Sequence, residues 1–233
     1  MNYEFDWTLV VSGEYGQWII QGLITTLQIS ALSIVLSLVV GTIIAVFRLS
    51  KIKPLEWVSL AYTEFFRNTP LLIQIFFWYF GSNSILPQAV NEWLYEQNFE
   101  FAAGVMALTV YTSAFIAEEI RSGIFSIPKT QMESARASGM TFIQSMRFVI
   151  LPQAFRIIIP PLISQFLNLT KNSSLVMTIG VMDLTYMARQ IESYTFHGFE
   201  AFTVATLLYI CISLVISFVV TMYNKHFLRT IQY

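Results

Sequence analysis

The sequence is short of charge, cysteine and histidine, and each shortage removes a class of function. Only 12% of its 233 residues are Asp, Glu, Lys or Arg, whereas a soluble domain carries about a quarter. With 55% hydrophobic residues and a mean hydropathy of +0.61, the composition is that of a membrane protein. A net charge of -1 supplies no basic surface for nucleic acid. The single cysteine, Cys211, lies in an apolar run, so no disulfide forms within the chain. The two histidines, His197 and His226, and the lone cysteine do not make the nucleophile, base and oxyanion hole of a membrane-embedded hydrolase. No G-x-x-x-x-G-K phosphate loop occurs, so the chain does not itself hydrolyse ATP. His197 reads as a solvated loop residue rather than a proton relay.

What is abundant is apolar sequence. Segments long enough to cross a hydrocarbon core, about 20 residues each, fall at 20–47, 58–81, 101–120, 157–182 and 201–223. Five spans put the termini on opposite sides. Arg48, Lys51 and Lys53 follow the first span; Arg121, Lys129, Arg136, Arg147 and Arg156 follow the third; Lys225 and Arg229 follow the last. By the positive-inside rule these faces are cytoplasmic. Residues 1–16 and 82–100 hold no Lys or Arg but carry Glu4, Asp6, Glu14, Glu92, Glu96 and Glu100, and the loop over 183–200 has only Arg189. The expected topology is an N-terminus outside and a C-terminus in the cytoplasm. A cleaved signal peptide is not expected, because a basic n-region is lacking and the first apolar run is too long for an h-region.

Of the thirteen Lys and Arg residues, two lie inside spans, Arg67 and Lys171. Such a charge costs between about 2.5 and 10 kcal/mol near the bilayer centre, so it normally faces a bundle interior or a wet cavity. Arg67 has a structural alternative in an ion pair with Glu64, one turn back. Lys171 lies about 22 Å into its span, too deep for easy snorkelling. Pro70 lacks an N–H and clashes with the carbonyl four residues back, so the helix is predicted to break near Phe66 to Thr69. Broken helices are tolerated in a bilayer only where protein or water receives the freed backbone, as in transporter sites. The stretch "NLTKNSSL", 168–175, sets Lys171 among Asn168, Thr170, Asn172, Ser173 and Ser174. Taken singly, the serines fit ordinary interhelical glue. In the first span Gly22, Thr25, Thr26, Ser30, Ser33, Ser37 and Gly41 recur at three- and four-residue spacing, which close helix packing explains without a substrate role.

The cytoplasmic segment 126–155 reads as two short helices. Ser126 is placed as N-cap with Pro128 in the first turn, Gly139 as a C′ stop, Thr141 and Gln144 as a capping box, and Pro152 as the end of the second helix. From pattern alone this fits an interfacial hairpin equally well.

A resemblance separates these readings. Glu133, Ser134, Ala135 and Gly139, followed by Val149, Leu151 and Pro152, resemble the pattern EAA, three residues, G, nine residues, I-x-L-P that marks permease subunits of ATP-binding-cassette importers. Ser134 and Val149 are mild departures. The resemblance implies that the loop at about 125–152 is a coupling helix docking on a separate ATPase. "FRNTPLLIQIFFWYFG", "SAFIAEEIRSGIFSIPKTQMESARASGM", "LPQAFRIIIPPL" and "KNSSLVMTIGVMDL" are similar to polar amino-acid permeases of the histidine and glutamate/aspartate type, in order over most of residues 22–223.

That likeness implies an all-α membrane protein with the type I importer permease fold, one transmembrane domain over 1–233, in a bacterial inner membrane. It implies that Arg67, Asn68, Thr69 and Pro70 contact the backbone groups of an amino acid, with Gln165, Lys171, Asn172 and Ser173 completing the site. Members specific for basic amino acids have a glutamate and an aspartate where this chain has Gln165 and Asn172. Together with Lys171, that departure points to an acidic substrate, with glutamine or asparagine as the alternative. The implied partners are a second permease chain, the same or homologous, two ATPase subunits that bind ATP and Mg, and a periplasmic amino-acid-binding protein. A secondary transporter would use similar broken helices but needs no coupling loop, and no internal duplication is found.

Overall fold

A computed structural model describes residues 3–96 and 98–227; Arg229 lies outside them, as does the side chain of Lys225. The described residues are helical: α1 (Trp7–Val11), α2 (Gly13–Leu49), α3 (Lys53–Arg67), α4 (Leu71–Ile85), α5 (Gln88–Glu96), α6 (Phe99–Phe125), α7 (Lys129–Ala137), α8 (Phe142–Ser145), a π turn (Met146–Ile150), α9 (Leu151–Asn172), a 3-10 segment (Ser173–Ile179), α10 (Leu184–Thr195) and α11 (Gly198–Phe227). Among the described residues, four stretches are long and apolar enough to cross a membrane: Gly13–Leu49, Phe99–Phe125, Phe142–Ile179 and Gly198–Val219. They overlap the first, third, fourth and fifth expected spans, the last two ending three and four residues early. In place of the second stand α3 and the shorter apolar helix Leu71–Ser82, separated at Asn68–Pro70. The break falls where the missing N–H of Pro70 predicts it.

Two expected loops are instead partly helical, over Gln88–Glu96 and Leu184–Thr195. In the second, Asp183 accepts the Tyr186 N–H at 2.9 Å and starts α10, a side-chain cap that outweighs the loop-like polarity of the sequence. Pro152 does not end a helix either. It opens α9, and the π turn before it takes up the clash, the Leu151 N–H reaching five residues back to Met146 O. Ser126 is not the N-cap of α7: Pro128 holds that position, and the Ser126 hydroxyl donates to Gly123 O at 2.8 Å. The Thr141–Gln144 capping box forms as expected.

The chain packs as two units. One comprises Met1–Val35, Thr69–Thr109 and Leu167–Val219. Its core gathers Val10, Ile19, Leu184, Ala188, Ile191, Ala201 and Ala205. Here the small residues of α2 serve close approach: a Cβ on Gly22 would sit 2.9 Å from both Asp183 O and Leu184 Cα, and the Thr26 hydroxyl accepts from Leu184 N at 3.0 Å. The other unit comprises Leu36–Asn68, Val110–Phe166 and Val220–Tyr233. Ile44, Ala45 and Ala117 form one of its cores, and Ile127, Ile150, Ala154 and Ile158 another. Gly41 lets α2 close on α6, since a Cβ there would lie 2.7 Å from Ile116.

Candidate functional site

Arg67 ends α3 and is exposed, and its side chain does not take the ion pair that the sequence offered. Its Cζ lies 5.4 Å from the centroid of the Phe115 ring on α6, within cation–π range. Glu64 is engaged by Asn68 instead: the Asn68 amide donates to the Glu64 carboxylate at 3.0 Å and to its carbonyl at 2.7 Å. The cause is local. Pro70 stops the helix, Asn68 becomes its C-cap, and its amide reaches back four residues to the Glu64 carbonyl, which the Asn68 backbone N–H also meets at 3.2 Å. Among the described residues Arg67 forms no ion pair. A guanidinium held by an aromatic face keeps its five N–H donors for another acceptor.

In the same unit Gln165, on α9, donates through Nε2 to Glu119 Oε1 of α6 at 3.4 Å. Sequence reasoning singled out the two cations inside spans and passed over Glu118 and Glu119, which stood at the edge of the predicted third span. Glu118 is consumed by Arg121, with which it forms an ion pair on the same helix. Glu119 is not. Phe115, Glu118 and Glu119 stand at i, i+3 and i+4, so they share one face of α6. That face meets Arg67 at one turn and Gln165 at the next.

In the other unit Thr69 and Pro70 lead into α4. The Gln74 amide donates to the Thr69 hydroxyl at 2.7 Å and to its carbonyl at 3.2 Å, tying the broken strand of chain to the helix after it. α4 packs against the 3-10 segment that begins at Ser173. This brings the helix behind Thr69 and Pro70 to the turn that follows Lys171 and Asn172. Ser173 is buried, donating to Thr170 O at 2.8 Å, with the Ser30 hydroxyl 3.5 Å away. Its structural role as interhelical glue is therefore filled. Lys171, at the last turn of α9, is exposed and forms no ion pair among the described residues.

The segment matched to a coupling helix is also assembled. Glu133 and Ser134 are exposed on α7, whereas Ala135 is buried where α7 meets α8 and the π turn. Gly139 has φ +88°, a left-handed conformation that suits glycine, and a Cβ there would meet nothing within 4 Å. It both terminates α7 and leaves the surface beside it open. Leu151 and Pro152 start α9.

His197 lies in the loop between α10 and α11, as expected, and is partly exposed, but its ring is also engaged. Its Nδ1 lies 3.1 Å from the fully buried Glu200, which also accepts from the Tyr3 hydroxyl and from Asp6 N at 2.9 Å. Four groups spread over 198 residues of chain could not be joined by a periodicity argument.

Comparison with known proteins identifies the family. Residues 13–231 match the family described as binding-protein-dependent transport system inner membrane component. A probable glutamine ABC transporter permease protein, GlnM of Bacillus subtilis, is 45% identical over 204 residues, covering 88% of this chain and 90% of that protein. The glutamate/aspartate import permease protein GltJ of Escherichia coli is 32% identical, over 97% of this chain and 96% of its own. The crystal structure of an amino acid ABC transporter with histidines superposes with a TM-score of 0.84 at 34% identity, over 96% of this chain and 100% of that one. The chain therefore belongs to the family of inner membrane components of binding-protein-dependent transport systems, as a permease subunit rather than an enzyme.

Proposed function

We propose that this permease, a subunit of an amino-acid ABC importer, carries acidic amino acids, glutamate and aspartate. The observation that carries the reading is the pair of intramembrane cations, Arg67 and Lys171, neither of which has an ion-pair partner among the described residues. A substrate with a second carboxylate suits a permease that keeps two such cations within its spans. Gln165 and Asn172 stand where a cationic side chain would need carboxylates. Support also comes from the likeness to the glutamate/aspartate permease of Escherichia coli.

The second reading is glutamine. It is favoured by the contact of Gln165 with Glu119, because a fixed carboxylate beside the side-chain pocket disfavours an anionic ligand. The likeness to the probable glutamine permease points the same way.

In this proposal the chain makes five membrane crossings, α3 and α4 together forming the second, with the N-terminus outside and the C-terminus in the cytoplasm. The whole chain, 1–233, is one transmembrane domain. Five spans enclose a path only when a second copy or a homologous subunit pairs with it. Two ATPase subunits that bind ATP and Mg grip the α7 region from the cytoplasm. A periplasmic binding protein delivers the amino acid, and ATP binding and hydrolysis alternate the access.

ATP hydrolysis by the complex reconstituted in lipid with its binding protein, measured with each amino acid, tests the reading. Glutamate and aspartate are expected to stimulate most. Glutamine in first place with glutamate inactive selects the second reading, and arginine in first place overturns both.

A further inference from the structure

We propose that Glu119 binds the α-ammonium group of the transported amino acid, with Gln165 as the residue that positions it. This rests on the amino-acid reading above and on Arg67 as the site of the α-carboxylate. A free amino acid is a zwitterion, and moving it into a poorly hydrated cavity requires a partner for each charge. The residues matched to a substrate site, Arg67, Asn68, Thr69, Pro70, Gln165, Lys171, Asn172 and Ser173, contain cations, hydroxyls and amides but no anion. An ammonium placed there finds nothing that offsets its charge.

Helix α6 supplies the missing group. The Arg67 guanidinium lies over Phe115 at 5.4 Å, and Glu119 stands four residues further along the same face, where Gln165 donates to it at 3.4 Å. The rise between Phe115 and Glu119 is about 6 Å. The ammonium nitrogen and carboxylate carbon of an amino acid are about 2.5 Å apart. A hydrogen bond of about 2.9 Å at each end brings the span to about 8 Å. One helical turn is of the same order as that span.

Other carboxylates near this face are occupied. Glu118 is paired with Arg121, and Glu64 accepts from Asn68. Glu119 forms no ion pair among the described residues and is partly exposed. The Gln165 amide donates to Oε1 at 3.4 Å, a long bond that leaves room for a stronger donor at the carboxylate. Arg67 and Glu119 then match the two charges of the zwitterion in order along α6.

The test compares amino acids with analogues that lack only the ammonium. Calorimetric binding to the purified permease–ATPase complex, without the binding protein and its own selectivity, is measured for glutamate against glutarate and for glutamine against glutaramate. Wild-type complex is expected to bind the amino acid roughly 10- to 100-fold more tightly than its des-amino analogue, the range of one charge-assisted hydrogen bond. In Glu119→Gln, which keeps the shape, that ratio should collapse toward one through loss of amino-acid affinity, with glutarate little changed. Gln165→Leu, which frees the carboxylate without removing it, should shrink the ratio by less. Equal binding by the wild type of the preferred amino acid, glutamate or glutamine, and its des-amino analogue overturns the proposal even if no variant assembles, and so does an unchanged ratio in Glu119→Gln. Failure of the acidic reading is a separate outcome: glutamine then outranks glutamate, while the glutamine/glutaramate ratio still reports on Glu119.

Discussion

Arg67 rests on the face of Phe115 and leaves Glu64, its neighbour one turn back, to Asn68. A proline-induced helix end thus separates an ion pair that the sequence spacing would otherwise favour. The amide takes the acid, the aromatic ring takes the base, and the guanidinium edge remains available for a carboxylate. That arrangement lowers the cost of an intramembrane arginine without neutralising it.

Arg67→Lys keeps the charge but loses the planar fork that accepts a carboxylate bidentately and stacks on an aromatic ring. Substrate-stimulated ATPase activity should fall at least about tenfold, which one charge-assisted hydrogen bond is worth. Arg67→Leu combined with Glu64→Leu should fare no better than Arg67→Leu alone. A double variant with normal transport would return Arg67 to a structural role.

Gly139 offers two separable effects. Its φ of +88° makes any Cβ strained, by about 1 kcal/mol, so Gly139→Ala measures the backbone term alone. Gly139→Trp adds a large side chain to a surface that is otherwise open. If α7 docks on the ATPase, the alanine variant should retain most transport while the tryptophan variant loses it and still inserts and pairs. Comparable uptake by both variants would remove docking from this surface.

Asp183 is fully buried and bridges α10 to α11, accepting from Tyr186 N at 2.9 Å and from the Tyr209 hydroxyl at 3.0 Å. Burial, only partly offset by those bonds, pushes its carboxyl up from 3.8 to about 6. Between those values the folded state holds more protons than the unfolded one, so this group's contribution to stability falls as pH rises through the window and stays low above it. Asp183→Asn can still cap α10 and carries no such penalty. Its thermal midpoint in detergent, relative to wild type, should rise from pH 4 to pH 6 and then level off. Asp183→Leu should lose about 1 kcal/mol from the cap alone at any pH.

How far the sequence reached depends on the kind of signal. Pro70, Gly139 and the Thr141–Gln144 box act over a few residues of backbone, and the structure follows them. Gly22 and Gly41 were legible as packing positions because helical periodicity is local too. Pro152 was misread because its clash is absorbed by a π turn that no composition announces. Glu119, Asp183 and Glu200 owe their roles to partners 46, 26 and 197 residues away. Such pairings are set by tertiary packing, so a single sequence with no contact map leaves them invisible. Arg67 and Lys171 stood out because a charge inside a span is costly wherever its partner lies.

The side-chain preference can be tested at Gln165 and Asn172. α9 runs unbroken from Leu151 to Asn172, and seven residues are two turns, so the two positions lie on one helix face. Changing Gln165→Glu sets a second carboxylate against Glu119, where Gln165 now donates at 3.4 Å. The introduced repulsion is relieved by a cationic ligand and worsened by an anionic one. Asn172→Asp extends the negative character along the face, although Lys171 beside it can pair with the new carboxylate and mute the effect. Gln165→Glu alone should therefore carry most of the change, because it also removes the amide that holds Glu119. In the purified permease–ATPase complex with free amino acids, the double variant should respond less to glutamate and aspartate, with a measurable gain for arginine or lysine. Adding Lys171→Gln should enlarge that gain by removing the competing cation. An unchanged ranking of all amino acids in the double and the triple variant would place side-chain recognition elsewhere in the importer.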